Sequence, residues 1–180
     1  PIFSKISKKS LLLEPLEFDL VRVLEKFIQD SSLSAHQAGI ELYYSFDAQM
    51  PLRVRADLLR MNQVLSGVMS HALKSSRIEH IYVEAHFTQS NSNDGILSLI
   101  ISDREKVETD NANLDKPEDL PGIGLSIAKG LAECMGGNLQ FSANRQRGKR
   151  IIITLKLEVV SQEEHHLGEE HRLEGKDILL

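Results

Sequence analysis

Gly122-Ile-Gly-Leu-Ser-Ile-Ala-Lys129 places two glycines where a turn opens into a helix. Backbone N–H groups at such a helix start can hold an anion, and glycine lets a phosphate come close. The same glycines would equally serve tight packing of the helix on a sheet. A second row of chemically able positions, Arg60, Gln63, Gly67, His71 and Lys74, is spaced three or four residues apart and so lines one helix face. His71 could act as a base or a metal ligand, but no second ligand stands at helical spacing from it, which favours a structural role. Arg60 and Lys74 are by default solvated surface cations. Asp103 closes an apolar run, where an aspartate commonly caps a turn. His165, His166 and His171 lie among glutamates and read as a solvated charge run rather than a zinc site. Cys134, the single cysteine, shares an apolar register with Ile127 and Leu131 and is expected in the core; alone it excludes an internal disulfide and fits a reducing compartment.

The elements that must position these residues can be read from periodicity. Leu11-Leu-Leu-Glu-Pro15 predicts a short edge strand. Residues 18 to 36 carry Leu20, Val23, Leu24, Phe27 and Ile28 at helical spacing behind Asp19. Ile40 to Phe46 alternates as a strand after the Gly39 turn. From Asp57 to about Ser76 a long helix presents Leu58, Met61, Leu65, Val68, Ala72 and Leu73 as one apolar stripe. Strands follow at Ile78 to Phe87 and Ile96 to Ser102, joined by Asn91-Ser-Asn-Asp-Gly95. Asp103 to Pro121 is polar and long for a connection, as lids are. A helix through Met135 ends on Gly136-Gly137, and two last strands, near Leu139 to Ala143 and Ile151 to Val159, flank Gly148. Strands alternating with helices argue for an α/β fold, one mixed sheet packed under helices.

The 180 residues suffice for one ordinary domain with tails. With 21 basic and 26 acidic residues and a net charge of −5, and no basic block, a nucleic-acid partner is excluded in expectation. No apolar run is long enough to span a bilayer and no signal peptide opens the sequence, so no membrane contact is expected of this segment. Ser161 to Glu174 is charged and aperiodic, which reads as a linker, and Lys176-Asp-Ile-Leu-Leu180 turns apolar again, like the first strand of a further domain. Beginning at Pro1 without Met, the chain has the look of an excised piece of a longer protein.

The order of these elements and motifs resembles the catalytic ATP-binding domain of sensor histidine kinases, in the GHKL ATPase superfamily, a two-layer α/β sandwich known as the Bergerat fold. Phe3-Ser-Lys-Ile6, Leu13-Glu-Pro15 and Phe18-Asp-Leu20 look like the family's junction between dimerisation helices and ATPase domain. Arg60-x-x-Gln-Val-Leu65 and Ala72-x-Lys74 look like the start and end of its N-box helix. Asp103 looks like the aspartate that contacts adenine, and Gly122-x-Gly124 like the second glycine box. The terminal Lys176-Asp-Ile-Leu-Leu180 is similar to the opening of a receiver domain. The resemblance thus implies the end of a dimerisation helix at 1–9, an ATPase domain at 10–160, a linker at 161–175 and the start of a receiver domain at 176–180. It also implies ATP and Mg²⁺ as cofactors, with Asp103, Gly122, Gly124, Lys74 and Arg60 as nucleotide-site positions. The implied partners are the chain's own dimerisation helices and receiver domain. The implied location is the cytoplasmic side of an inner-membrane bacterial sensor.

Several positions depart from the family pattern. The N-box of the family presents carboxamide or carboxylate side chains toward Mg²⁺ and the triphosphate, where this sequence has Gly67 and His71. Mg²⁺ takes oxygen ligands, so a nitrogen is a poor match and a glycine offers nothing. The first glycine box, Asp-x-Gly-x-Gly in the family, stands here as Asp103-Arg104-Glu105-Lys106-Val107. Residues 104 to 120 hold three basic and six acidic side chains, a sign that repels a triphosphate. The expectation is a degenerate site in which ATP and Mg²⁺ bind weakly or not at all. The domain would then serve as an interaction module toward another sensor kinase, as in RetS-type hybrid sensors. The alternative is an active domain that phosphorylates a histidine on the preceding helices.

Overall fold

The computed structural model describes residues 12–76, 79–103, 119–144 and 148–164. Among these described residues ten elements follow one another. Strand β1 (Leu16–Asp19) leads into helix α1 (Leu20–Gln37), then β2 (Glu41–Phe46), β3 (Pro51–Ala56) and helix α2 (Leu58–Ser75). After these come β4 (His80–Gln89), β5 (Asp94–Ser102), helix α3 (Ile123–Cys134), β6 (Asn138–Asn144) and β7 (Gly148–Glu164). The strands form one mixed sheet in the order β1-β3-β7-β5-β4-β2, and β6 pairs with the same long β7. Among the described strands only β2 and β4 run parallel; every other pair is antiparallel.

Cross-strand register explains where the helices lie. Val83, Ile101 and Ile151 stand opposite one another, as do Ala85, Leu99 and Ile153, and all six are buried. Their neighbours Glu84, Ile100 and Ile152 face the other way and are only half-buried. One face of the sheet is thus apolar and covered by the three helices, whose own buried residues include Leu20, Leu24, Ile28, Met61, Leu65, Val68 and Leu125. This is the two-layer α/β arrangement that the sequence predicts.

Local signals set the helix ends as expected. The Asp19 and Asp57 carboxylates accept the Arg22 and Arg60 N–H groups at 3.0 Å, capping α1 and α2. Helix α3 stops in a Schellman motif: Gly136, at φ 73°, donates to the Glu133 carbonyl, and Gly137 donates to that of Ala132. A Cβ on Gly137 would lie 1.7 Å from the Thr154 carbonyl oxygen, so β6 begins where only glycine fits.

Three expectations are corrected. The edge strand begins after Pro15 rather than at Leu11: residues 12–15 pair with no strand, and Glu14 N–H donates to the Asp57 carboxylate at 3.0 Å. Strand β3, unforeseen, buries Val54 and Ala56 and exposes Arg53 and Arg55; Pro51 at its head masked the alternation. Strand β7 continues past Val159 to Glu164, with Ser161 opposite Arg53 and Glu164 opposite Pro51, so residues 161–164 belong to the sheet and not to a linker. The expected linker from 165, the terminal apolar run, residues 1–11 and most of the acidic lid lie outside the described residues.

Candidate functional site

Asp103, His71 and Lys149 gather around the C-terminal end of α2. The last turn of that helix (Ala72, Ser75, Ser76) forms one wall of a small cavity. Ile81 of β4, Ile101 to Asp103 at the end of β5, Phe141 of β6 and Lys149 and Ile151 of β7 form the rest. Its volume is about 20 Å³, room for roughly one water molecule. Asp103 sits at its edge in a reciprocal backbone arrangement. The Asp103 N–H donates to the Lys149 carbonyl at 3.2 Å, and the Lys149 N–H donates to the Asp103 carboxylate at 2.8 Å. The Lys149 side chain crosses to α2, where its ammonium donates to the Ser75 carbonyl at 2.6 Å. Ser75 ends the helix, so its carbonyl lacks an intrahelical partner, and a cation there also meets the negative end of the helix dipole.

His71 lies one turn before this end, half-buried, with its ring edge-on to Phe141 at 6.3 Å between centroids. Burial, and then the positive charge of Lys149, lower its pKa below the ordinary histidine value. Its imidazole is therefore neutral at neutral pH. Gly67, one turn further back, has open space where a Cβ would project, so no close neighbour requires glycine there.

The glycine pair separates into two cases. Gly122 caps α3 at φ 89° and ψ 172°, a conformation open essentially to glycine alone. Gly124 has no such constraint, and a Cβ at either position would meet nothing within 4 Å. Tight packing on the sheet is thus not what these glycines serve. Among the described residues no side chain caps this end of α3, although the Ser126 hydroxyl donates to the Gly122 carbonyl at 3.1 Å.

Other sequence candidates fall elsewhere. Arg60 donates to the Gln63 side chain at 2.9 Å, and Lys74 turns toward α1. There it lines a larger, open cavity of about 1050 Å³ between α1 and α2, with Phe27, Leu58, Met69 and Leu73. Neither cation lines the small cavity beside Asp103. Cys134 is only half-buried, and Ile127 is 39% exposed. The buried stripe of α3 is Leu125, Ala128, Leu131 and Ala132, so Leu131 stands in the core as expected while Ile127 and Cys134 lie beside the stripe. Lys149 and Phe141 were not legible as site residues, because nothing local marks a lysine beside a hairpin glycine as the partner of a helix end 74 residues earlier.

The family of histidine kinase-, DNA gyrase B- and HSP90-like ATPases matches residues 56–159, from the end of β3 into β7. The chain belongs to this family. Similar proteins within it include sensor kinases. The sensor protein GacS of Pseudomonas syringae pv. syringae is 27% identical over 86% of this chain, and the signal transduction histidine-protein kinase BarA of Escherichia coli K12 is 22% identical over 87%. The chain spans only 18% of the length of either. Among solved structures, ShkA in complex with AMPPNP superposes with a TM-score of 0.61 at 20% identity, covering 88% of this chain and 34% of that one. That likeness carries the fold. The chain is thus an ATPase-fold domain of the sensor histidine kinase type, and no described helix is long and apolar enough to cross a membrane.

Proposed function

We propose that this chain is the degenerate ATP-binding domain of a bacterial hybrid sensor histidine kinase of the RetS type, binding ATP weakly or not at all and regulating another sensor kinase. The observation that carries this reading is the 20 Å³ cavity beside Asp103, the position that the family resemblance assigns to adenine. Small-molecule sites run to about 300–1,000 Å³. The two α2 positions that the resemblance assigns to Mg²⁺ and the triphosphate lie outside the wall of that cavity and fit neither group: Gly67 has no donor, and His71 offers a neutral, half-buried nitrogen where Mg²⁺ takes oxygen. Loss of a positioned proton acceptor alone costs roughly 100- to 10,000-fold in rate. No phosphoryl-transfer step is therefore assigned to these residues.

The regulatory half of the reading draws on the likeness to GacS across most of the chain. A domain so similar to a partner's own can take its place beside the partner's dimerisation helices. The parent would carry dimerisation helices before this domain, a receiver domain after it, and a membrane-anchored sensor portion with this domain in the cytoplasm. One observation favours the alternative, an active kinase domain: the open space above Gly122 and Gly124 at the start of α3, where an anion could lie.

Calorimetric titration of the purified chain with ATP and Mg²⁺ separates the two. The expected result is no heat beyond dilution; micromolar, Mg²⁺-dependent binding would falsify the degenerate reading. Adding the parent's cytoplasmic portion to a purified GacS-type kinase should lower that kinase's autophosphorylation. An unchanged rate at equimolar amounts would remove the regulatory claim.

A further inference from the structure

We propose that the Lys149 side chain is a built-in occupant of the purine pocket and the residue that decides what this site excludes. The inference rests on the degenerate reading above and adds the group that closes the site. Lys149 is held at both ends. Its backbone is clamped to Asp103 by two hydrogen bonds, at 2.8 and 3.2 Å, directly after Gly148 turns the hairpin at φ 76°. Its ammonium is bonded to the Ser75 carbonyl at 2.6 Å. Between those anchors the side chain lines a cavity whose other walls are mostly apolar, among them Ala72, Ile101 and Phe141, and about 20 Å³ is left.

A ligand entering beside Asp103 must displace that ammonium. Breaking a hydrogen bond to a charged donor weakens such a ligand roughly 10- to 150-fold. The same charge faces His71, whose protonated form it disfavours, and for the same reason it repels a metal cation from that imidazole. One side chain thus opposes both the purine and the cation.

Adenosine tests this without involving Gly67, His71 or the lid, because it has neither phosphate nor metal. Saturation-transfer NMR with adenosine should show no binding to the wild-type chain. Saturable binding, on the order of 1 mM, is expected for Lys149→Ala. A Lys149→Ala chain that melts cooperatively yet binds no adenosine overturns the inference and leaves the degenerate reading intact. Wild-type binding as tight as the variant's overturns it as well. Micromolar MgATP binding by the wild type would instead sink the degenerate reading. Should Lys149→Ala fail to fold, ammonium-detected NMR of the wild type decides. A Lys149 Nζ signal protected from exchange with water supports the occupant, and exchange as fast as that of the exposed Lys26 refutes it.

Discussion

Replacing Gly67 by alanine should stabilise the domain. Gly67 lies in the middle of α2, nine residues after its first residue Leu58, and is half-buried with no positive φ. A Cβ built there meets nothing within 4 Å, so the substitution adds neither clash nor buried polar group. What remains is the backbone term: glycine in a helix interior is about 1 kcal/mol less favourable than alanine, because it loses more freedom on folding. For a chain of this size that gain corresponds to a rise in melting temperature of about 2–4 °C. Asparagine ranks only slightly above glycine in helices, so Gly67→Asn should be close to neutral in stability. Differential scanning calorimetry of the three proteins at pH 7.5 measures both effects. A melting temperature for Gly67→Ala at or below that of the wild type would refute the reasoning, since it would mean that some neighbour approaches the Gly67 backbone closely. With stability unharmed, a Gly67→Asn, His71→Asn protein that still binds no MgATP would trace the defect to the closed pocket, the first glycine box and the lid.

Asp57 is 5% exposed and accepts two N–H groups, those of Arg60 and Glu14; Asp57→Ala should cost about 2–3 kcal/mol in urea denaturation, and Asp57→Asn clearly less. Gly122→Ala forces a side chain into a glycine-only conformation and should cost about 1–3 kcal/mol, whereas Gly124→Ala should be neutral or mildly stabilising, a contrast that thermal melts of the pair will check. His71 has a lowered pKa when folded, so the unfolded chain binds the proton first as pH falls below about 6.5. Its effect on stability is nil above that pH and grows unfavourable down to the folded pKa. The wild type should therefore lose more stability than His71→Gln between about pH 7 and pH 5, and parallel pH profiles would contradict this.

Most of the framework was legible because its signals are local. Asp19 and Asp57 announce helix starts, apolar spacing gives the buried stripes of α1 and α2, and Gly136-Gly137 announces the end of α3. Expectations failed where a distant strand overrode or extended a local pattern. Strand β3 is held by β1 and β7 despite Pro51, and β7 runs on to Glu164 because β3 lies beside it. On α3, Leu131 is buried as its spacing predicts, but Ile127 and Cys134 are not, because apolar type alone does not separate the buried stripe from its border.

By itself the sequence determined the α/β class and every element except β3, because periodicity suffices for those; that Gly67 and His71 stand where oxygen donors are expected follows from residue type set against the family resemblance. Only the tertiary structure decided the state of the pocket. The Asp103 and Ser75 contacts of Lys149 span 46 and 74 residues. Such proximity arises when β5, β6 and β7 pair beneath the end of α2, and no pattern along the chain encodes which side chain will fill the space that pairing leaves.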